Sequence, residues 1–281
     1  MKHRNAIGLL IIAGLLWSIA GVLIKSIPWP PLVIAGLRSG IAGMVILFYV
    51  KRPRFTWNKY QLLAAVAYAA TVTLFVIANK LTTAGNAILL QYTAPVYVAL
   101  LSFSFLRERS TMIDWLTIGV MLLGLVLFFL DELTFSDHLG NICGVTAGIF
   151  FGMFTILLRK QKDASPAESI ILGNALTFLI CLPVILNGFA ADKQSVVLIL
   201  TLGVVQLGIP YILFAIAIKY VSALDAIIYP SIEPIINPLL VYLIIGETMG
   251  PYSLIGGLLV LGGVLVRAII QKTNKLIKPT S

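Results

Sequence analysis

Residues 74–111, LFVIANKLTTAGNAILLQYTAPVYVALLSFSFLRERST, align without a gap on residues 213–250, LFAIAIKYVSALDAIIYPSIEPIINPLLVYLIIGETMG, at an offset of 139 positions. Twelve of the 38 positions are identical. Apolar helices resemble one another by chance, so shared Leu and Ile mean little. The matched polar and helix-breaking positions mean more: Lys80 falls on Lys219, Pro95 on Pro234 and Glu108 on Glu247. Hydrophobicity asks for none of these. Upstream the match thins to Ala13–Gly14 on Ala147–Gly148 and Lys25 on Arg159. The chain reads as two copies of one plan.

What surrounds the repeat is too apolar for a water-soluble domain. Of 281 residues, 59% are hydrophobic and 11% charged, with a mean hydropathy of +1.02. A soluble domain carries roughly 25% charged residues to solvate its surface. A spanning helix takes about 20 apolar residues, so about ten spans with short loops use up the sequence and leave no room for a soluble catalytic domain. The net charge of +9 does not point to nucleic acid, because the basic residues sit in short loops between apolar runs. Cys143 and Cys181 lie in apolar stretches without metal-ligand spacing, and His3 and His138 lie in terminal or loop positions. No metal or cofactor is expected. The run Ala6 to Ile24 is long and lacks a small-residue cleavage site, so it is expected to remain as a first transmembrane helix.

Charge and Pro/Gly punctuation place spans at 5–25, 31–50, 60–80, 85–106, 112–131, 139–159, 166–187, 194–219, 224–246 and 251–271. With the N-terminus inside, sixteen Lys and Arg fall on the inner side and three outside, Lys25, Lys80 and Lys193. Arg38 is left within a span. The positive-inside rule then sets both termini in the cytoplasm. The expected fold is an all-α integral membrane protein, with repeats at 1–131 and 139–271 and a basic cytoplasmic tail at 272–281. Five spans is an odd number, so the second copy enters the bilayer from the opposite side. The two five-helix repeats are then inverted, a plan common among secondary transporters.

The same residues resemble the EamA family of the drug/metabolite transporter superfamily. The resemblance rests on Ala84-Gly85-Asn86-Ala87, Pro95 and Leu106-Arg107-Glu108, repeated as Ala223-Leu224-Asp225-Ala226, Pro234 and Gly246-Glu247. Pro31 to Arg38 and the glycines Gly119, Gly124, Gly256, Gly257, Gly262 and Gly263 are also similar to that family. It covers essentially the whole chain. It implies a prokaryotic cell-membrane protein that exports amino acids or related metabolites.

Polar groups deep in a span are unfavourable in hydrocarbon, so each is a candidate site residue. Glu233 sits about nine residues, or roughly 13 Å, from the inner end of its span, near the midplane. Tyr229, Glu233 and Asn237 recur every four residues and would share one face of a regular helix. Pro95 and Pro234 interrupt matching spans of the two copies, which is the best sequence pointer to a transporter's site. Gln91, Tyr92, Trp17, Gln206 and Tyr211 complete the substrate-binding candidates, with Asn79 and Asn174 behind them. Against this stands the plainer reading of a kinked helix, a buried structural Glu and polar side chains that bond neighbouring helices. Arg38 reads as a structural charge, within reach of Glu233 if their helices touch. Trp29, Trp57, Trp115 and Tyr252 read as interfacial anchors.

Three functions fit these residues unequally. One is alternating-access export of amino acids or related metabolites, with Glu233 carrying a coupled proton. Another is uptake of a small organic cation or zwitterion in a cage of Trp17, Tyr92 and Tyr229 around Glu233. The third is a membrane-embedded enzyme acting on a lipid-linked substrate, for which the metal motifs and paired carboxylates are missing. The expected partners are a small-molecule substrate and the lipid bilayer. A monomer is compatible with all of this.

Overall fold

The computed structural model describes residues 1–128, 130, 137–164, 166–236 and 251–277, and every regular element in them is a helix. The first span is two helices, α1 (His3–Trp17) and α2 (Ala20–Ser26), followed by α3 (Pro31–Val50) and α4 (Lys59–Leu81). The fourth span is likewise divided into α5 (Ala84–Gln91) and α6 (Ala94–Leu106). Then come α7 (Met112–Phe128), α8 (His138–Lys160) and α9 (Pro166–Leu186). The next span joins α10 (Lys193–Thr201), a π-helical segment (Leu202–Gly208) and α11 (Ile209–Ala217). Helix α12 (Ala223–Ile228) runs into a 3₁₀ turn (Tyr229–Ile232), 233–236 are helical, and α13 (Pro251–Ile277) closes the chain.

Among the described residues seven helical stretches are long and apolar enough to cross a membrane, and Met112–Phe128 and Ile255–Ile270 are shorter apolar helices. The outside of the bundle is apolar, with Phe48 80%, Leu258 72% and Leu186 75% exposed. The inside is built from Ala and aromatic side chains around buried polar groups, including Arg38, Asn79, Asn174, Gln206 and Glu233. That inversion of the soluble pattern is what a lipid solvent selects. Helices associate through close packing and polar contacts rather than by burying apolar surface.

The interruptions have local causes. Pro95 lacks an N–H, which favours a new helix start over a kink in an old one. It stands in the first turn of α6, just after Tyr92 and Thr93 break the span. Pro230 stands at the start of the 3₁₀ turn. Counted by the repeat offset, residues 92–93 correspond to 231–232, so the fourth and ninth spans are interrupted at matching places. Pro210 cannot donate to the Gln206 carbonyl, and the backbone widens into the π-helical segment just before it.

The packing also repeats. Helix α4 lies on α8 as α11 lies on α1, and α4 on α9 as α3 on the π segment. The α5/α6 span lies on α8 as the α12/3₁₀ span lies on α1. Helix α3 packs on α9, and α7 on α13. Exchanging the first five spans with the last five maps this set of contacts onto itself. Two glycines fix it at close range. A Cβ on Gly14 would stand 2.6 Å from the Pro230 carbonyl oxygen, and one on Gly148 2.9 Å from that of Gln91. Gly14 aligns with Gly148, and Gln91 with Pro230. Each glycine admits the interrupted span of the other half.

Candidate functional site

The interrupted fourth and ninth spans meet inside the bundle. The Tyr92 hydroxyl, at the break after α5, lies 2.7 Å from Glu233 Oε2 and 3.1 Å from the Pro230 carbonyl oxygen. Glu233 is 5% exposed and Tyr92 4%. Beside them is a cavity of about 30 Å³, room for one or two waters. Trp17, Arg38, Gln91, Gln206, Tyr211 and Glu233 line it, with Thr71, Val72 and Phe75 of α4, Phe151 of α8 and Leu207.

Arg38 enters this cavity from α3, nearly fully buried. Its Nη1 donates to Gln206 Oε1 at 3.2 Å and its Nη2 to the Val72 carbonyl at 2.9 Å. Gln206 owes its position to the π-helical segment, which is held against α3: a Cβ on Gly203 would stand 2.5 Å from Ile41 Cβ. Arg38 Nε and Gln91 Oε1 are buried and have no hydrogen-bond partner. The cavity therefore offers a guanidinium donor, an amide acceptor and a carboxyl group. Its apolar wall is aromatic, with Trp17 5.1 Å from Tyr211 and 6.1 Å from Phe151, ring centroid to ring centroid. Such a surface suits a small molecule with both charged and apolar parts.

Both ends of the bundle are tied by polar contacts. At one, Lys25 donates to the Thr82 carbonyl at 2.7 Å, Lys80 to that of Ile27, and Asn86 to Asn141. Trp29 Nε1 donates to the Ala190 carbonyl at 2.8 Å. At the other end, Arg267 of α13 pairs with Asp114 of α7 at 2.8 Å and with Asp225 of α12 at 2.7 Å. Arg159 of α8 pairs with Glu108 at 2.9 Å and also donates to the carbonyls of Ile218 and Lys219. Glu108 in turn accepts from the Ala223 N–H. This second end gathers His3, Arg109, Arg159 and Arg267.

Of the sequence candidates, Glu233, Gln91, Trp17, Gln206 and Tyr211 share one cavity, and Tyr92 joins them through Glu233. Tyr229 does not line it. The 3₁₀ turn has three residues per turn, so the four-residue spacing from Tyr229 to Glu233 no longer puts them on one face. Asn237 and Glu247 lie outside the described residues. Pro95 is buried at the break, and Pro234 follows Glu233 in the helical 233–236. Arg38 lines the same cavity as Glu233, but among the described residues its bonds go to Gln206 and Val72 and not to that carboxyl. Asn79 donates to the Phe75 carbonyl one turn back in its own helix, and Asn174 of α9 accepts from Tyr68 of α4, so only the second ties two helices. Trp29 is 4% exposed and packs on Phe189, so it is a buried loop tie and not an interfacial anchor; Trp57, at 63%, is open to its surroundings.

Sequence reasoning missed Phe151 and the Arg267–Asp114–Asp225 cluster. An aromatic in an apolar helix carries no signal, and charges near span ends look like loop charges. Asp225 was findable in the repeat, since it stands where the first copy has Asn86.

Two segments, residues 4–130 and 138–268, match the EamA-like transporter family. An uncharacterized transporter of Archaeoglobus fulgidus is 30% identical over 92% of this chain and 94% of its own. The uncharacterized transporter YwfM of Bacillus subtilis is 25% identical over 94% of each chain. The threonine/homoserine exporter RhtA of Escherichia coli K12 is 22% identical over 86% of this chain and 84% of its own. A solved crystal structure shares the fold with a TM-score of 0.81, covering 98% of this chain and all of that one at 18% identity.

Proposed function

The chain belongs to the EamA-like transporter family, and from that premise we propose that it exports amino acids or related small metabolites by alternating access. Glu233 is the residue that both meets the substrate and carries a coupled proton. The observation that carries this reading is the meeting of the interrupted fourth and ninth spans at one buried carboxyl, Glu233, under Tyr92 and beside Arg38 and Gln206. A zwitterion's ammonium group faces Glu233, and its carboxylate faces the Arg38 guanidinium. A proton on Glu233 stands in for that ammonium when the cavity has no cargo.

The exchange symmetry of the helix contacts supports two inverted five-helix repeats, at 1–131 and 139–271. In such a plan, swapping the conformations of the halves swaps an inward-open for an outward-open state. The structure described here is tied at both ends, with a central cavity too small for an amino acid. That fits a closed form between the two open ones. Both termini lie in the cytoplasm of a prokaryotic cell, with the chain in the plasma membrane.

Counterflow tests the transport reading. Proteoliposomes loaded with unlabelled L-threonine or L-homoserine should accumulate the radiolabelled compound above protein-free vesicles. A wider panel of amino acids extends the test to other side chains. If neither these nor any other amino acid exchanges, while a quaternary amine does, the cargo is an organic cation and the amino-acid reading is wrong.

A further inference from the structure

The tied basic end of the bundle holds a second, much larger cavity, of about 760 Å³. That is within the range of small-molecule sites, and far above the central one. Its wall carries three guanidiniums, Arg109, Arg159 and Arg267, and three carboxylates, Glu108, Asp114 and Asp225. The formal charges cancel, so the wall favours neither an anion nor a cation but a neutral guest that carries both signs. His3 also faces it, 3.6 Å from Asp225.

Not all of these groups are engaged. Arg159 and Arg267 hold the three acids, whereas Arg109 has no acid partner among the described residues and lies over the Phe103 ring at 4.8 Å. Ser102 lines the same cavity, is 2% exposed, and its buried Oγ has no hydrogen-bond partner. A buried hydroxyl without a partner is unusual in a folded protein. Together Arg109 and Ser102 supply donors for an acid group. On the same wall each oxygen of Glu108 accepts one bond, from Arg159 and from Ala223. A carboxylate oxygen has two lone pairs, so Glu108 can accept an ammonium as well.

We propose that this cavity is a second binding site, for a small zwitterion whose acid group meets Arg109 and Ser102 and whose ammonium meets Glu108. It deepens the transport reading and rests on it for the role: cargo waits here, on the cytoplasmic side, while the central cavity is closed. An aminophospholipid headgroup has the same two charges, so the test separates free zwitterion from lipid.

The test places a single cysteine at Tyr220, an exposed residue of the cavity wall, and follows its maleimide labelling in detergent. For a millimolar site, ~10 mM L-alanine occupies about nine-tenths of it and slows labelling about tenfold. That protection should persist in Glu233→Gln, fall in Arg109→Ala, and partly return in Arg109→Lys. Arg109 is exposed, so its truncation leaves the core intact. Equal protection by acetate or methylamine alone would overturn the zwitterion assignment. Loss of protection in Glu233→Gln would show that only the central site binds, and would overturn the second one. Shielding in phosphatidylethanolamine nanodiscs without alanine, but not in phosphatidylglycerol, would keep the site and assign it to the lipid headgroup. Protection without counterflow would sink transport and leave this site standing; counterflow without protection would sink this site alone.

Discussion

Among the described residues Glu233 accepts a hydrogen bond from the Tyr92 side chain, and it shares its cavity with Arg38, Gln91, Gln206 and aromatic rings. Tyr92→Phe deletes that bond while keeping the ring. A bond to a charged partner contributes about 1.5–3 kcal/mol, so substrate half-saturation should rise about tenfold or more, with little change in folded yield. Proteoliposome uptake against substrate concentration measures it, and an unchanged curve would make Tyr92 a bystander. Arg38 and Gln206 act as a pair, so Gln206→Leu should weaken substrate binding by loosening the guanidinium from its place. The individual polar residues of this cavity were legible in the sequence because each is conspicuous in an apolar span. Their grouping was not. Whether Arg38 turns to Glu233 or to Gln206 depends on rotamer and helix rotation, which spacing does not encode.

At the scale of elements, the lengths of the apolar runs carried the all-helical fold, and Pro95 and Pro210 stand beside interruptions while the break at Ser18–Ile19 has no proline. What spacing could not supply was their form. Pro95 starts a helix instead of kinking one, the ninth span narrows to a 3₁₀ turn, and Pro210 is preceded by a π-helical segment. Each changes which side chains share a face, which is why Tyr229 leaves the Glu233 cavity and Gln206 reaches it. The matched glycines allow a paired test. Gly14→Ala puts a methyl group against the Pro230 carbonyl, and Gly148→Ala against that of Gln91. Overpacking of this kind typically destabilises by about 1–3 kcal/mol, and both variants should lose thermal stability in detergent by similar amounts. Unequal losses would say that the two halves do not use these glycines alike.

At the scale of the whole molecule, a buried ion cluster ties α7, α12 and α13 at one end, while the opposite end is tied by Lys25 and Lys80 on backbone carbonyls and by an Asn86–Asn141 amide pair. Arg267→Ala leaves Asp114 and Asp225 without their shared cation, and breaking such a buried pair costs about 3–5 kcal/mol. The expected result is a lower melting temperature and a greater share of molecules open at that end, read as faster labelling of the Tyr220→Cys thiol. Topology is checked by single cysteines at Thr56 and Lys193, which should react with an impermeant maleimide from opposite sides of the membrane. The central claim is that Glu233 exchanges a proton for the cargo, and flux across proteoliposomes with and without an imposed pH gradient tests it most directly. Wild type should respond to the gradient, and Glu233→Gln, which keeps the shape but cannot change charge, should lose that response while remaining folded and inserted. A Glu233→Gln protein that transports at the wild-type rate with the same response to pH would contradict it.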